Sequence, residues 1–261
     1  MLTHKFLWVI VVKKGLYFSV KFKSLFSSLL SFIFVVSFLF IVMYIYEARK
    51  GDSVNNSITA NNLPLIIVDP GHGGEDGGTS SAEGVLEKDI NLSISEKLDI
   101  LLTLSGYNTL LIRTEDKLLY DGEPETIRDK KVSDIRKRME IIENNPESIF
   151  LSIHQNYFTE SKYSGAQVFY SENNEESSIV AESIQGSIKE KLQSTNEKKI
   201  KKSGKEIYLL YHAQSPAVMV ECGFMSNTEE AILLGDNEYQ IKMSLAIIDG
   251  LNIYFDIKGE Q

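Results

Sequence analysis

"LIIVDPGHGGEDGG", Leu65 to Gly78, runs from four apolar residues into a loop that holds five glycines and one of the chain's four histidines. The apolar run reads as a buried strand, and the glycines let the backbone bend sharply after Pro70. A loop of this kind can cradle phosphate, make a bare turn, or hold an imidazole against a metal ion. A phosphate loop needs a lysine and a Ser or Thr after its last glycine, and "GHGGEDGGT" offers no lysine. Glu75 and Asp76 in its middle would repel a phosphate, and no third glycine follows at the dinucleotide spacing.

Working outward, strand-length apolar runs alternate with helical patterns. "EKDINLSISEKLDILLTLSG" places Ile90, Ile94, Leu98 and Leu101 on one stripe, with Gly106 at a helix C-cap. "YNTLLIR" reads as a second strand and Val132 to Asn144 as a helix stopped by Pro146. "SIFLSIH" and "GAQVFYS" read as strands, "EESSIVAESIQGSIKEKL" as a helix, "EIYLL" and "PAVMVECGF" as strands, and Tyr239 to Phe255 as a closing helix. The alternation predicts an α/β fold, an open sheet covered by helices on both faces.

In such sheets ligands collect beyond the carboxyl ends of the strands. His72 follows the first strand, and His154 closes "SIFLSIH" on the face of Phe150 and Ser152, opposite Ile149, Leu151 and Ile153. Glu221 ends "AVMVE" and points away from Val220 and Cys222. Two imidazoles, one carboxylate and an open position make a recurrent catalytic zinc arrangement. Glu75, Asp76, Glu83 and Glu87 all qualify by position as the carboxylate; Glu87, at the start of a helix, would ride the most rigid support.

The N-terminal part has a different composition. All 36 Asp and Glu fall after Tyr46, against 22 Lys and Arg there, a balance of −14. A region this acidic argues against nucleic-acid binding, which needs a basic face. Residues 1–24 form a basic segment with lysines at 5, 13, 14, 21 and 23, and 25–46 contain no charge. That length suits a transmembrane helix, and its apolar run is longer than that of a cleaved signal. The lysine bias predicts a single-pass signal anchor with the N-terminus inside and the domain outside. Residues 47–62 read as a flexible linker and 63–261 as the catalytic domain. The single cysteine, Cys222, rules out an internal disulfide and reads as a small buried hydrophobe rather than a nucleophile.

"IIVDPGHGGEDGG", "EKDINLSISEKL", "SIHQN" and "PAVMVECGFMSN" together resemble the zinc-dependent N-acetylmuramoyl-L-alanine amidases of bacterial cell walls, over nearly all of Leu63 to Phe255. The resemblance implies a mixed, mainly parallel sheet, and one zinc ion held by His72, Glu87 and His154 with Glu221 as catalytic acid/base. It implies cleavage of the amide between the lactyl group of N-acetylmuramic acid and L-alanine of the stem peptide in peptidoglycan. Within the family the wording is most similar to the germination-specific amidases of spore formers, which prepare cortex muramic acid for δ-lactam formation. Some of those depend on an activating lipoprotein, and the matching location is a membrane-anchored domain outside the cytoplasm, between the forespore membranes. The rivals are a zinc peptidase acting within stem peptides and a non-catalytic wall-binding relative. Arg113 and Arg138 are assigned to structural salt bridges, His212 to a loop before the last strand, and the basic run 198–205 to a solvated loop.

Overall fold

A computed structural model describes residues 63–122 and 124–259, together with Val36, Ser37 and Met43, which are helical. Apart from those three, the basic segment, the predicted membrane span and the linker lie outside the described residues. Among the described residues no helix is long and apolar enough to cross a membrane. The chain divides into two compact units, 1–62 and 63–261, and the second holds all the elements that follow.

Six strands form one sheet: β1 (Ile66–Pro70), β2 (Thr109–Leu111), β3 (Ile149–Asn156), β4 (Gln167–Tyr170), β5 (Lys201–Lys202) and β6 (Ala217–Phe224). Their order is β2-β1-β3-β6-β4-β5. Every neighbouring pair is parallel except β4 with β6, so the sheet is mixed and mainly parallel. The helices are α1 (Glu87–Leu104), α2 (Ile127–Glu143), α3 (Glu176–Lys191), α4 (Tyr208–His212), α5 (Thr228–Gly235) and α6 (Asn237–Gly259).

Strand alternation divides the core. Ile66, Val68, Ile149, Leu151, Ile153, Val218, Val220 and Cys222 meet α1, α3 and α6 in a large cluster on one face. Ile67, Phe150 and Ala217 meet Met139 and Ile142 of α2 and Leu210 of α4 in a smaller cluster on the other. Each strand residue therefore faces the side that period-two reading assigns to it. Helix α1 buries Ile90, Ile94, Leu98 and Leu102 fully, with Leu101 only partly covered. It ends in a Schellman motif: Gly106 is left-handed, Gly106 N–H donates to Thr103 O, and Tyr107 N–H donates to Leu102 O.

Several expectations are corrected. "EIYLL" is not a strand: from Tyr208 it coils into α4, because a short apolar run has no period of its own and the burial of Leu210 decides its form. Helix α2 begins at Ile127 rather than Val132, capped by Thr126, whose hydroxyl accepts from Asp129 N–H. The basic run is not wholly a loop, since Lys201 and Lys202 pair with β4 as an edge strand. Helix α5, absent from the sequence reading, starts at the cap Asn227, which accepts from Glu230 N–H.

Candidate metal centre

The centre lies where β1, β3 and β6 end. Strand β1 hands over to the glycine loop at Pro70, and Gly71 N–H continues the ladder by donating to Ile153 O at 3.0 Å. His72 follows with φ of 60°, a left-handed conformation that non-glycine residues adopt only when their surroundings enforce it. The enforcement comes from two buried arginines. Arg113 donates to Pro70 O, Gly71 O and Lys88 O at 3.0, 3.0 and 2.9 Å. Arg138 donates to Pro70 O at 2.8 Å and to His72 O at 2.9 Å.

The two arginines differ from the expected pair of salt bridges. Arg138 does form them, with Asp69 and with Asp134 at 2.7 Å, and Ser152 donates to the other oxygen of Asp69 at 2.6 Å. Burial works against the charge on Asp69, but Arg138 and Ser152 hold its carboxyl below the usual range. Arg113 makes no carboxylate pair within salt-bridge distance among the described residues; its guanidinium caps carbonyls instead, and burial with the nearby Arg138 charge pulls its pKa down.

His72, Glu87 and His154 converge so that one ligand atom from each lies within 4.8 Å of the others. Glu87 Oε1 is 3.0 Å from His154 Nδ1 and 3.4 Å from His72 Nε2. Its position on the first turn of α1 is fixed by Thr79 N–H, which donates to Oε2, and by Gln155 N–H and Asn91 Nδ2, which donate to Oε1. Of the four candidate carboxylates, only Glu87 joins the histidines. Asp76 instead lies 2.8 Å from His72 Nδ1, orienting the ring from behind and leaving Nε2 toward the centre. Glu75 pairs with Lys130, and Glu83 is exposed.

Two glycines make room for this convergence. A Cβ on Gly71 would stand 2.1 Å from His154 Nε2. A Cβ on Gly78 would stand 2.5 Å from Glu87 Oε2 and 2.8 Å from His72 Cδ2, and Gly78 is also left-handed at φ 67°. The loop's glycine content signals a turn; that two of its members face the ligands emerges only in three dimensions.

Glu221 sits on β6 directly opposite His154 in the β3–β6 register. It is sheltered, and burial raises its pKa to about 7. Its Oε2 is buried with no hydrogen-bond partner. An orphaned carboxylate oxygen beside a cluster of donors points to a ligand or water that the protein alone does not supply. The donor set fits a divalent ion of zinc's preference, two imidazoles and a carboxylate. The local charge agrees: burial opposes protonation of His72, yet its contacts with Asp76 and Glu87 outweigh this and raise its pKa to about 9. A site that draws a proton onto an imidazole so strongly is one that favours positive charge. A cleft of about 240 Å³ opens here, lined by His72 and His154 together with Phe150, Met219, Tyr208 and Leu210.

Cys222 points into the large core on the far side of the sheet from Glu221. Burial pushes its thiol well above the usual range, so a thiolate nucleophile is not available there. His212 is the last residue of α4, not a loop residue.

Comparison with known proteins decides the family: residues 66–252 match the model described as N-acetylmuramoyl-L-alanine amidase. The chain belongs to the N-acetylmuramoyl-L-alanine amidase family. This amidase is 35% identical over 212 residues to the germination-specific N-acetylmuramoyl-L-alanine amidase of Bacillus subtilis, covering 80% of this chain and 88% of the relative. Among solved structures it is similar to the CwlD amidase of Clostridioides difficile in complex with the GerS lipoprotein, at 40% identity and a TM-score of 0.72, over 75% of this chain and 100% of that one. The amidase AmiC2 of Nostoc punctiforme matches at 28% identity and a TM-score of 0.63, over 74% and 97%. The enzyme is thus an amidase acting on peptidoglycan, as the motifs imply.

Proposed function

We propose that this amidase is a single-zinc enzyme that frees whole stem peptides from N-acetylmuramic acid in spore cortex, as the first step of muramic-δ-lactam formation. The observation that carries the zinc reading is the convergence of His72, Glu87 and His154 beside the unpartnered Oε2 of Glu221. These three side chains would hold the ion. When bound, zinc supplies a Lewis acid that polarises the amide carbonyl and acidifies water.

Glu221 does the proton work. Its carboxylate takes a proton from water as the water oxygen bonds to the lactyl carbonyl carbon, then returns that proton to the departing nitrogen of L-alanine. The carbon–nitrogen bond breaks, leaving a lactyl carboxylate on the sugar and a free amine on the peptide. A pKa of about 7 suits a group that must accept and release one proton near neutrality. Asp76 holds the His72 ring, and the arginines hold the loop carbonyls, so that His72 need not reorganise during the reaction.

The spore role and an activating lipoprotein rest on the kinship with the germination-specific amidase and with the lipoprotein-bound amidase. The location, anchored by 25–46 with the domain outside the cytoplasmic membrane, rests on charge and hydropathy. Mass spectrometry of peptidoglycan incubated with the purified chain, with zinc or with chelator, tests the chemistry. Zinc-dependent release of stem peptides beginning at L-alanine is the expected result, and release that persists after complete metal removal would overturn the zinc reading. Cortex from spores made without this chain should lack muramic-δ-lactam; lactam at the normal level would overturn the spore role.

A further inference from the structure

Helix α4 does something a strand could not. Residues i, i+3 and i+4 of a helix share one side, and in α4 these are Tyr208, Tyr211 and His212. All three are exposed, Tyr208 at 42% and Tyr211 at 36%. Leu210 and the following Ala213 are fully buried in the smaller core, so one side of the element is anchored and the other carries rings. The rings touch one another. Tyr208 and His212 have centroids 4.3 Å apart, and Tyr211 meets His212 at 5.1 Å, nearly perpendicular. Among the described residues neither phenol oxygen and neither His212 ring nitrogen has a protein hydrogen-bond partner.

Tyr208 also lines the cleft that holds His72 and His154; Tyr211 and His212 lie outside that lining and reach it through the ring contacts with Tyr208. Tyr157, Phe158 and Tyr163, on the segment after β3, are exposed too, but among the described residues none of their ring contacts reaches a residue that lines the cleft. Glu206 stands on the same lip as Tyr208 and is exposed.

We propose that Tyr208, Tyr211 and His212 form a platform for the glycan strand of peptidoglycan, holding the polymer while one of its muramoyl amides occupies the metal centre. The proposal rests on the metal-centre reading for its orientation and adds how the polymer is recognised. An N-acetylated pyranose offers a flat C–H face and a rim of hydroxyls. Aromatic rings cover the first, while phenol and imidazole groups with free polar atoms reach the second. Charge on this lip is balanced, Glu206 standing beside Lys205, whose Nζ lies 5.9 Å from the Tyr211 ring centroid, so the rings and free polar atoms are what select the occupant. The sugar backbone of an uncut strand, its lactyl groups capped as amides, carries no charge of its own and needs no ionic partner on this surface.

The test uses a probe that cannot engage the metal centre: the linear tetrasaccharide of N-acetylglucosamine, which has the glycan backbone and no lactyl amide. Binding to the full chain is followed by nuclear magnetic resonance titration for the natural sequence, Tyr208→Ala, Tyr211→Ala and Tyr211→Phe. Each alanine variant should weaken binding about tenfold, equivalent to ~1.4 kcal/mol and in line with one stacked ring. Tyr211→Phe, which keeps the ring, should lose less. Unchanged thermal midpoints show that the variants fold. Equal affinity for all four proteins, or no binding by the natural one, overturns the platform. In parallel, kcat/KM on intact strands should fall through KM in Tyr211→Ala, a position outside the cleft lining, while that variant cleaves a disaccharide–peptide substrate as before; an equal loss on both substrates also overturns it. Tetrasaccharide binding that persists in a protein found to work without zinc would sink the metal-centre reading and leave the platform standing.

Discussion

The two faces of the sheet hold together by different means. On one, α1, α3 and α6 bury a continuous set of aliphatic side chains against β1, β3 and β6. On the other, α2 and α4 contribute a smaller apolar cluster, and the space toward the strand ends is occupied by Arg138, Asp69, Asp134 and Ser152 and by the cleft. The first face gains stability from area removed from water. The second holds buried charges whose partners must all be present, because a buried ion that loses its partner is costly. A stiff apolar face lets the opposite face carry buried ion pairs. Polar groups of both faces, Glu87 and Asn91 of α1 among them, meet only at the strand ends, where the backbone can be bent into a site.

That contrast can be broken by mutation. The largest effect on rate should come from Glu221→Gln, with turnover lowered about 10²- to 10⁴-fold, zinc content retained and the unfolding midpoint little changed. Full activity in that variant would remove Glu221 from the proton-transfer role. Arg138→Leu should destabilise by about 3–5 kcal/mol, read by denaturant unfolding. It should also lower activity per folded molecule, since Pro70 and His72 lose a donor. Leu98→Ala on the opposite face should cost about 2–5 kcal/mol yet leave activity per folded molecule intact. If Leu98→Ala and Arg138→Leu damage the site equally, the division of labour between the faces is wrong.

A pH profile sharpens the contrast. Glu221 must be ionised to accept a proton, and burial raises its pKa to about 7. A nearby cation can only favour the carboxylate and lower that value. So kcat/KM should rise with pH through a limb at or below about 7, lost on the acid side as the carboxyl protonates. An acid limb well above neutrality would assign it to another group. The smallest effect should be Cys222→Ala: about 1 kcal/mol of stability for a small buried group and unchanged turnover, which also checks that no thiol takes part.

Most of the site was legible in the sequence because period-two alternation is local. Once "SIFLSIH" is a strand, Ser152 and His154 must share the face of Phe150, and Glu221 must oppose Cys222. The strand-end rule then brings residues far apart in the chain to one edge of the sheet. The choice of Glu87 over Asp76 was not readable from spacing, since both lie close in the chain to His72. It depends on which carboxylate reaches Nε2 and which reaches Nδ1, a matter of ring orientation. The same holds for Arg113, whose partners are carbonyls and so leave no pattern in residue types.

By itself, then, the amino-acid order determined the alternating α/β architecture, the faces of the central strands, and the gathering of His72, His154 and Glu221 at one edge of the sheet. Each follows from a local period or from a motif whose residue types already carry the chemistry. Tertiary structure alone decided that "YLLYH" is a helix, because five mainly apolar residues satisfy either period and only the burial of Leu210 against Phe150 and Ala217 selects one. It also decided that Gly71 and Gly78 are the space into which His154, His72 and Glu87 fit, since a missing side chain shows its purpose only when its neighbours are in place.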